Sequence, residues 1–281
     1  MRELVIAALQ TGGASVVALA LGMVATKVFA LVLGPAGIGF ISLVRQTFQA
    51  AQMLATLNGQ AAIAQGIASR EDTSQARYLA TVFWILLAGG GAVALAFLLV
   101  PSQVASSVMG RQDQGSVQVI RWLSVAVLAG VASTYLSGVL NGYRAIGRLA
   151  FLQAVGAAVA AVLAYPVARL LRAGHPVALT LQLAVPPLVV GVLGLAFALR
   201  GGWLPKPFRH AGLNFDAGAA RGFLGLAAAM VLTGVVATSI PLAVRAITVR
   251  RFGLHGVGLF DVAWNISMNY IVLAIASWST Y

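Results

Sequence analysis

Leu33-Gly34-Pro35-Ala36-Gly37-Ile38-Gly39-Phe40 joins two long apolar runs near the N-terminus. The pattern returns far downstream as Phe252-Gly253-Leu254-His255-Gly256-Val257-Gly258-Leu259, with its three glycines at unchanged spacing. Glycine takes positive φ freely and lets backbones approach closely, so such a stretch between apolar runs reads as a tight interhelical turn. Its second copy implies a chain built from two similar halves. Laying the chain from Arg221 over the chain from Arg2 needs no gap. Val16-Val17-Ala18 falls on Val235-Val236-Ala237, and Gly34, Gly37 and Gly39 fall on Gly253, Gly256 and Gly258. Apolar runs align by chance easily. Three glycines at one constant offset, flanked by runs of equal length, are a much stronger signal.

The runs around these turns set the class. Of the 281 residues, 60% are hydrophobic and 9% charged, and the mean hydropathy is +0.94. A soluble domain carries about 25% charged residues. So few charges cannot cover a water-facing surface, and the chain reads as an all-α polytopic membrane protein. A spanning helix needs about 20 mostly apolar residues. About eight runs qualify: 4–33, 38–64, 78–100, 122–141, 149–168, 176–199, 222–244 and 256–281. Pro186-Pro187 in the middle of the sixth predicts a local helix break.

The longest polar connection divides the chain. Residues 1–200 form an N-terminal six-helix lobe, 201–221 a cytoplasmic inter-lobe loop, and 222–281 the first two helices of a second lobe. An even number of spans separates the two glycine turns. Both halves therefore enter the membrane in the same orientation, the parallel-repeat plan about an axis along the membrane normal. A matching second lobe needs roughly four more spans, so the expectation is an incomplete second lobe in a truncated chain.

The formal net charge is +12, from 18 Lys+Arg against 6 Asp+Glu. In a soluble protein that excess suggests nucleic acid. Here the charges fall mostly in short connections, where cytoplasmic Lys and Arg set topology and anionic headgroups lie close, so no nucleic-acid partner is expected. A slight excess of basic connections on the side of Arg2, Arg70, Arg77, Arg144, Arg148, Arg200, Lys206, Arg209 and Arg221 favours a cytoplasmic N-terminus. The absence of Cys excludes disulfide and thiol chemistry. His175, His210 and His255 fall in connections without metal-ligand spacing. Glu71-Asp72 is a solvated loop pair rather than an acid–base pair, and no phosphate-cradling loop follows a strand. Catalytic, metal and cofactor sites are not expected, and the chain does not read as an enzyme.

Charges inside spans are costly and mark function by default. Lys27 lies toward the end of the first span, where its side chain either snorkels to the interface or faces a lumen. Arg45 lies about two turns into the second and heads a stripe of Arg45, Gln49, Gln52, Thr56 and Gln60. Spacings of four, three, four and four put all five on one helical face. Such a stripe either lines a water-filled lumen or bonds neighbouring helices. The eighth span carries a second stripe, Asp261, Asn265 and Asn269. Asp261 is an ion-coupling candidate or a structural partner for Arg245 or Arg45. Arg245, Arg250 and Arg251 read as interfacial or as lining the mouth of a cavity. The substrate-lumen candidates are Lys27, Arg45, Gln49, Gln52, Thr56, Asn265 and Asn269.

Two stretches resemble a known family. They are the Leu33–Gly39 turn leading into the polar second span, and Leu140-Asn141-Gly142-Tyr143-Arg144-Ala145-Ile146-Gly147-Arg148 after the fourth. Both are similar to the Wzx-type O-antigen and polysaccharide flippases, within the superfamily that includes the multidrug and toxic-compound exporters. The resemblance implies translocation of an undecaprenyl-pyrophosphate-linked oligosaccharide across a bacterial inner membrane. Lys27, Arg45, Gln49 and Gln52 would then meet phosphate or sugar hydroxyls. It also implies the lipid bilayer, an anionic lipid-linked oligosaccharide, and polysaccharide polymerase and chain-length proteins as partners. Family members have about twelve or more helices in two lobes; this chain stops after eight apolar runs. A drug exporter of the same superfamily would want acidic cavity residues, and a membrane polymerase or ligase would want a large loop rich in Arg and His.

Overall fold

The structure, a computed structural model, describes residues 2–70, 72–110, 113–203 and 215–278. Lys206, Arg209 and His210 of the long connection lie outside the described residues, as do Glu71 and the side chain of Asn269. Lipid cannot hydrogen-bond a backbone, so a spanning segment must satisfy its own amides, and helices do this along their length. Among the described residues there is no strand. The helices are α1 (Arg2–Thr56), α2 (Gln60–Ala68), α3 (Asp72–Leu99), α4 (Pro101–Met109), α5 (Gln114–Gly142), α6 (Ile146–Arg172), α7 (Ala178–Arg200) and α8 (Ala217–Trp278).

Six helical stretches among the described residues are long and apolar enough to cross a membrane: α1 with α2, α3, α5, α6, α7 and α8. The sequence predicts eight runs because it counts both sides of each glycine turn. In the structure no loop separates them. A single residue leaves helical geometry in each: Gly34 at φ 66°, ψ −172°, and Gly253 at φ 68°, ψ −173°. This region of backbone space is essentially closed to residues with a Cβ. Two copies of one sequence pattern thus adopt one conformation. An unbroken α1 of 55 residues would measure about 80 Å against a hydrocarbon core of about 30 Å. The breaks divide α1 and α8 into arms of membrane-spanning scale.

The two turns pack against each other. A Cβ on Gly39 would collide with the carbonyl oxygen of Leu254, and a Cβ on Gly258 with the carbonyl oxygen of Pro35. Pro35 and Leu254 hold equivalent positions in the repeat, as do Gly39 and Gly258, so the contact is reciprocal in the manner of a two-fold interface. Leu43, Val249 and Val257 close over it as a small buried cluster.

The main core gathers the second arm of α1 with α2, α3 and α5 around Val44, Ile63, Leu79, Val82, Ile120 and Leu123. Buried phenols are satisfied, with Tyr78 donating to the Ala62 carbonyl at 2.8 Å and Tyr135 to that of Leu79 at 3.1 Å. The second apolar run is not one helix. Leu57 and Asn58 take φ of 53° and 50°, which ends α1 at Thr56 and starts α2 on a new axis. Gly59 sits in that joint with the ring of Phe223, from α8, against it. The break expected at Pro186-Pro187 does not occur: α7 continues through both prolines. Many large apolar side chains face outward, among them Leu31, Leu99, Val162, Leu199 and Leu232, as a lipid-facing surface requires.

Gly39→Ala should lower the thermal stability of the detergent-purified protein by about 1–3 kcal/mol, because a backbone carbonyl must move to admit the methyl. Gly91→Ala should be neutral or slightly stabilising, since a Cβ there meets open space.

Candidate functional site

Two cavities open between the arms of α1 and their neighbours. The larger, about 1130 Å³, lies among the first arm of α1, α5, α6 and the second arm of α8. The smaller, about 550 Å³, lies among α1, α7 and α8. They share a wall that includes Thr26, Arg45, Asp261 and Asn265.

The structure separates the predicted stripe. Arg45 lines both cavities, Gln49 the smaller and Gln60 the larger. Gln52 turns instead to α5, donating to the carbonyls of Val127 at 2.8 Å and Ala126 at 3.4 Å. Gly130 leaves the room this needs, since a Cβ there would overlap the Gln52 amide. Thr56 is buried and bonds back to the Gln52 carbonyl at 2.7 Å. Neither Gln52 nor Thr56 lines either cavity. Gln46, one residue from Arg45, bridges the halves by donating to the Thr238 carbonyl at 3.2 Å. Lys27 reaches the larger cavity from the first arm of α1.

Of the two readings of Arg245, the structure takes the cavity: the residue lines the smaller one. It is 5% exposed on α8 and donates to Asp261 Oδ1 through Nε at 3.1 Å and through Nη2. Its Nη1 meets the Pro241 carbonyl at 3.3 Å, and Asn265 donates to the other Asp261 oxygen at 3.0 Å. Asp261 is 8% exposed. The two arms of α8 are therefore tied by an ion pair across the Gly253 break. Removing two charges from water is expensive, and the bonds from Arg245 to the Pro241 carbonyl and from Asn265 to Asp261 offset part of that cost.

The pair also determines the charge of the cavities. Arg245 and Asp261 neutralise each other. Lys27 and Arg45 face the space and meet no carboxylate among the described residues. The charge they present to the cavities is positive, on side chains that are exposed to that space. Ser133, Ser137 and Gln153 add polar groups to the larger cavity, and Gln182 to the smaller. Sequence reading missed these because none is charged: Gln153 stands alone in an apolar run, and Ser133 and Ser137, although four residues apart, carry only small hydroxyls. Their presence within a span was the available signal.

The Leu140–Arg148 motif lies elsewhere. Arg144 holds φ 54° at the turn after α5, where the Ala145 amide returns to the Leu140 carbonyl at 2.9 Å. Tyr143 donates to Gln75 Oε1 at 3.1 Å and stacks on Trp203, with Arg148 4.7 Å over that ring. The motif ties three connections together at one end of the bundle.

Fold and cavity define a multi-pass α-helical membrane protein with an internal cationic chamber. The chain is 25% identical over 278 residues to proteins named lipid III flippase from Escherichia coli (strain K12) and Shigella flexneri. The alignments cover 98% of this chain, which spans 65% of the length of those relatives. No protein-family model and no solved structure matches the chain.

Removing one member of the buried pair should be costly: Asp261→Asn is expected to destabilise by about 3 kcal/mol, because it strands the Arg245 charge. The double variant Arg245→Met/Asp261→Leu should recover most of that loss in thermal unfolding. Additive losses would contradict direct coupling.

Proposed function

We propose that the chain forms the translocation path of a flippase. Its cargo is an undecaprenyl-pyrophosphate-linked oligosaccharide, carried from the inner to the outer leaflet of a bacterial inner membrane, as in the Wzx-type members of the exporter superfamily. The observation that carries this reading is the unneutralised pair Lys27 and Arg45 in a large chamber within an apolar bundle. A pyrophosphate is a doubly acidic, strongly accepting group, and Arg and Lys are its natural partners. The distant similarity to lipid III flippases supports the same substrate class. A cationic drug would meet repulsion from these residues.

In this reading residues 1–200 form one lobe and 222–281 the start of a second in parallel orientation, and rocking at their contact gives alternating access. The reciprocal seating of the two glycine turns supports such a pivot. The N-terminus lies in the cytoplasm. Asp261 is the coupling group: a proton or cation taken up there would release Arg245 from its counter-charge and present a further cation to the lipid pyrophosphate. Asn265 and Gln49 hydrogen-bond the cargo beside Arg45. Asn269 follows Asn265 by four residues in the sequence and is a lumen candidate on that spacing alone.

In proteoliposomes holding an undecaprenyl-pyrophosphate-linked oligosaccharide, the chain should accelerate its exposure to an impermeant reagent. Arg45→Ala should slow that exposure by about 10–100-fold, the worth of one charged hydrogen bond, with unchanged protein incorporation. An unaltered rate in Arg45→Ala would sink the role assigned to the chamber.

A further inference from the structure

The short helix α4 lines neither cavity. Pro101 opens it, at a helix position whose N–H would be unpaired in any case, and Gly110 closes it at φ 63°. Its 9 residues measure about 14 Å, too short to cross a hydrocarbon core of about 30 Å. It packs instead at the end of the bundle where the two glycine turns meet. One face roots it in the first half, since Ala105 and Met109 are buried in the main core. The adjoining row reaches the second half. Val108 packs against Leu43, Val249 and Val257, the cluster that closes over the meeting of the turns. Arg250 of α8 donates through Nη2 to the Ser107 carbonyl at 3.2 Å. That carbonyl lies in the last turn of α4, where carbonyls lack an intrahelical partner and the helix dipole favours a cation. Glycine has no side chain with which to grip a neighbour. The close seating of Gly39 and Gly258 therefore depends on what holds the flanking segments together, and α4 is rooted in one half and fastened to the other.

We infer that α4 is a strap over the two glycine turns: it holds the halves together at that end, and they part there only when Val108 and Arg250 let go. The inference rests on the rocking of the halves in the flippase reading and deepens it, by naming what sets the balance between the closed and open states of one end. Both fastenings are weak. Arg250 is exposed, so its bond competes with water, and Val108 is only half-buried. A ligand shifts a two-state equilibrium only by its difference in affinity for the two states, so a lightly fastened strap leaves that equilibrium within reach of binding energy. A tightly fastened one would hold the end shut.

The chain has no Cys, so a single introduced thiol reports on one place. Val257→Cys puts it under the strap, at a position that is fully buried. The full chain in detergent is treated with a water-soluble maleimide, and the rate of modification follows the population in which that end is open. In this background Arg250→Ala should raise the rate by about 2–5-fold. Val108→Ser should raise it by about 3–10-fold. Arg251→Ala removes the same charge from the exposed neighbouring residue and should leave the rate unchanged. A second reporter, Leu79→Cys in the main core, reads global unfolding and should not respond to either strap variant. An unchanged rate in both strap variants, an equal rise with Arg251→Ala, or a parallel rise at the Leu79→Cys reporter would overturn the inference. No lipid-linked cargo enters the measurement. A chain that fails to flip lipid therefore leaves this result standing, and an unaltered rate removes the strap while the flippase reading still rests on Arg45.

Discussion

Everything in this molecule hangs on backbone meeting backbone at two glycine turns. Lipid tails are as apolar as leucine, so helices in a bilayer gain little by hiding apolar surface from one another, and close packing must hold them instead. Gly39 and Gly258 permit it, each receiving a carbonyl from the other turn where any side chain would intrude. Gly34 and Gly253 set the angle at which the arms of α1 and α8 diverge, through a backbone state open to glycine and closed to its alternatives. The cavities lie between those arms.

Charge follows from that geometry. The α8 arms converge so that Arg245 reaches Asp261 across the Gly253 break. The α1 arms carry Lys27 and Arg45 on either side of Gly34, with no carboxylate to meet them among the described residues. Equivalent hinges in the two halves are thus treated differently: one is bound by an ion pair, and the other is flanked by free cations. An anion that met both Lys27 and Arg45 would span the hinge at Gly34 as Asp261 and Arg245 span the hinge at Gly253. Ligand binding and arm geometry would then be linked through the same residues.

Much of this was legible in advance. Composition alone establishes the membrane class, and the glycine spacing locates both hinges. Other elements misled for identifiable reasons. Helical periodicity correctly puts Arg45, Gln49, Gln52 and Thr56 on one face, but a face is broad and its neighbours differ along its length. Gln52 meets α5 and Arg45 meets open space. The joint after Thr56 carried a signal that apolar continuity masked, the turn-prone pair Asn58-Gly59. Pro186-Pro187 reads as a break on local grounds, yet α7, packed against α5 and α6, continues through both prolines.

The sequence by itself determined that this chain lives in a bilayer, that its backbone must be helical, and that two equivalent points leave helical geometry. These follow from local chemistry: hydropathy, amide satisfaction and the glycine-only dihedral. Only the tertiary structure decided which polar groups are consumed by packing and which remain for a ligand. Arg245 and Asp261 are sixteen residues apart and neutralise each other, while Lys27 and Arg45 meet no carboxylate among the described residues. Such pairing depends on which side chain faces which across a gap of a few ångströms. That is a property of helix crossings, and no single segment contains it.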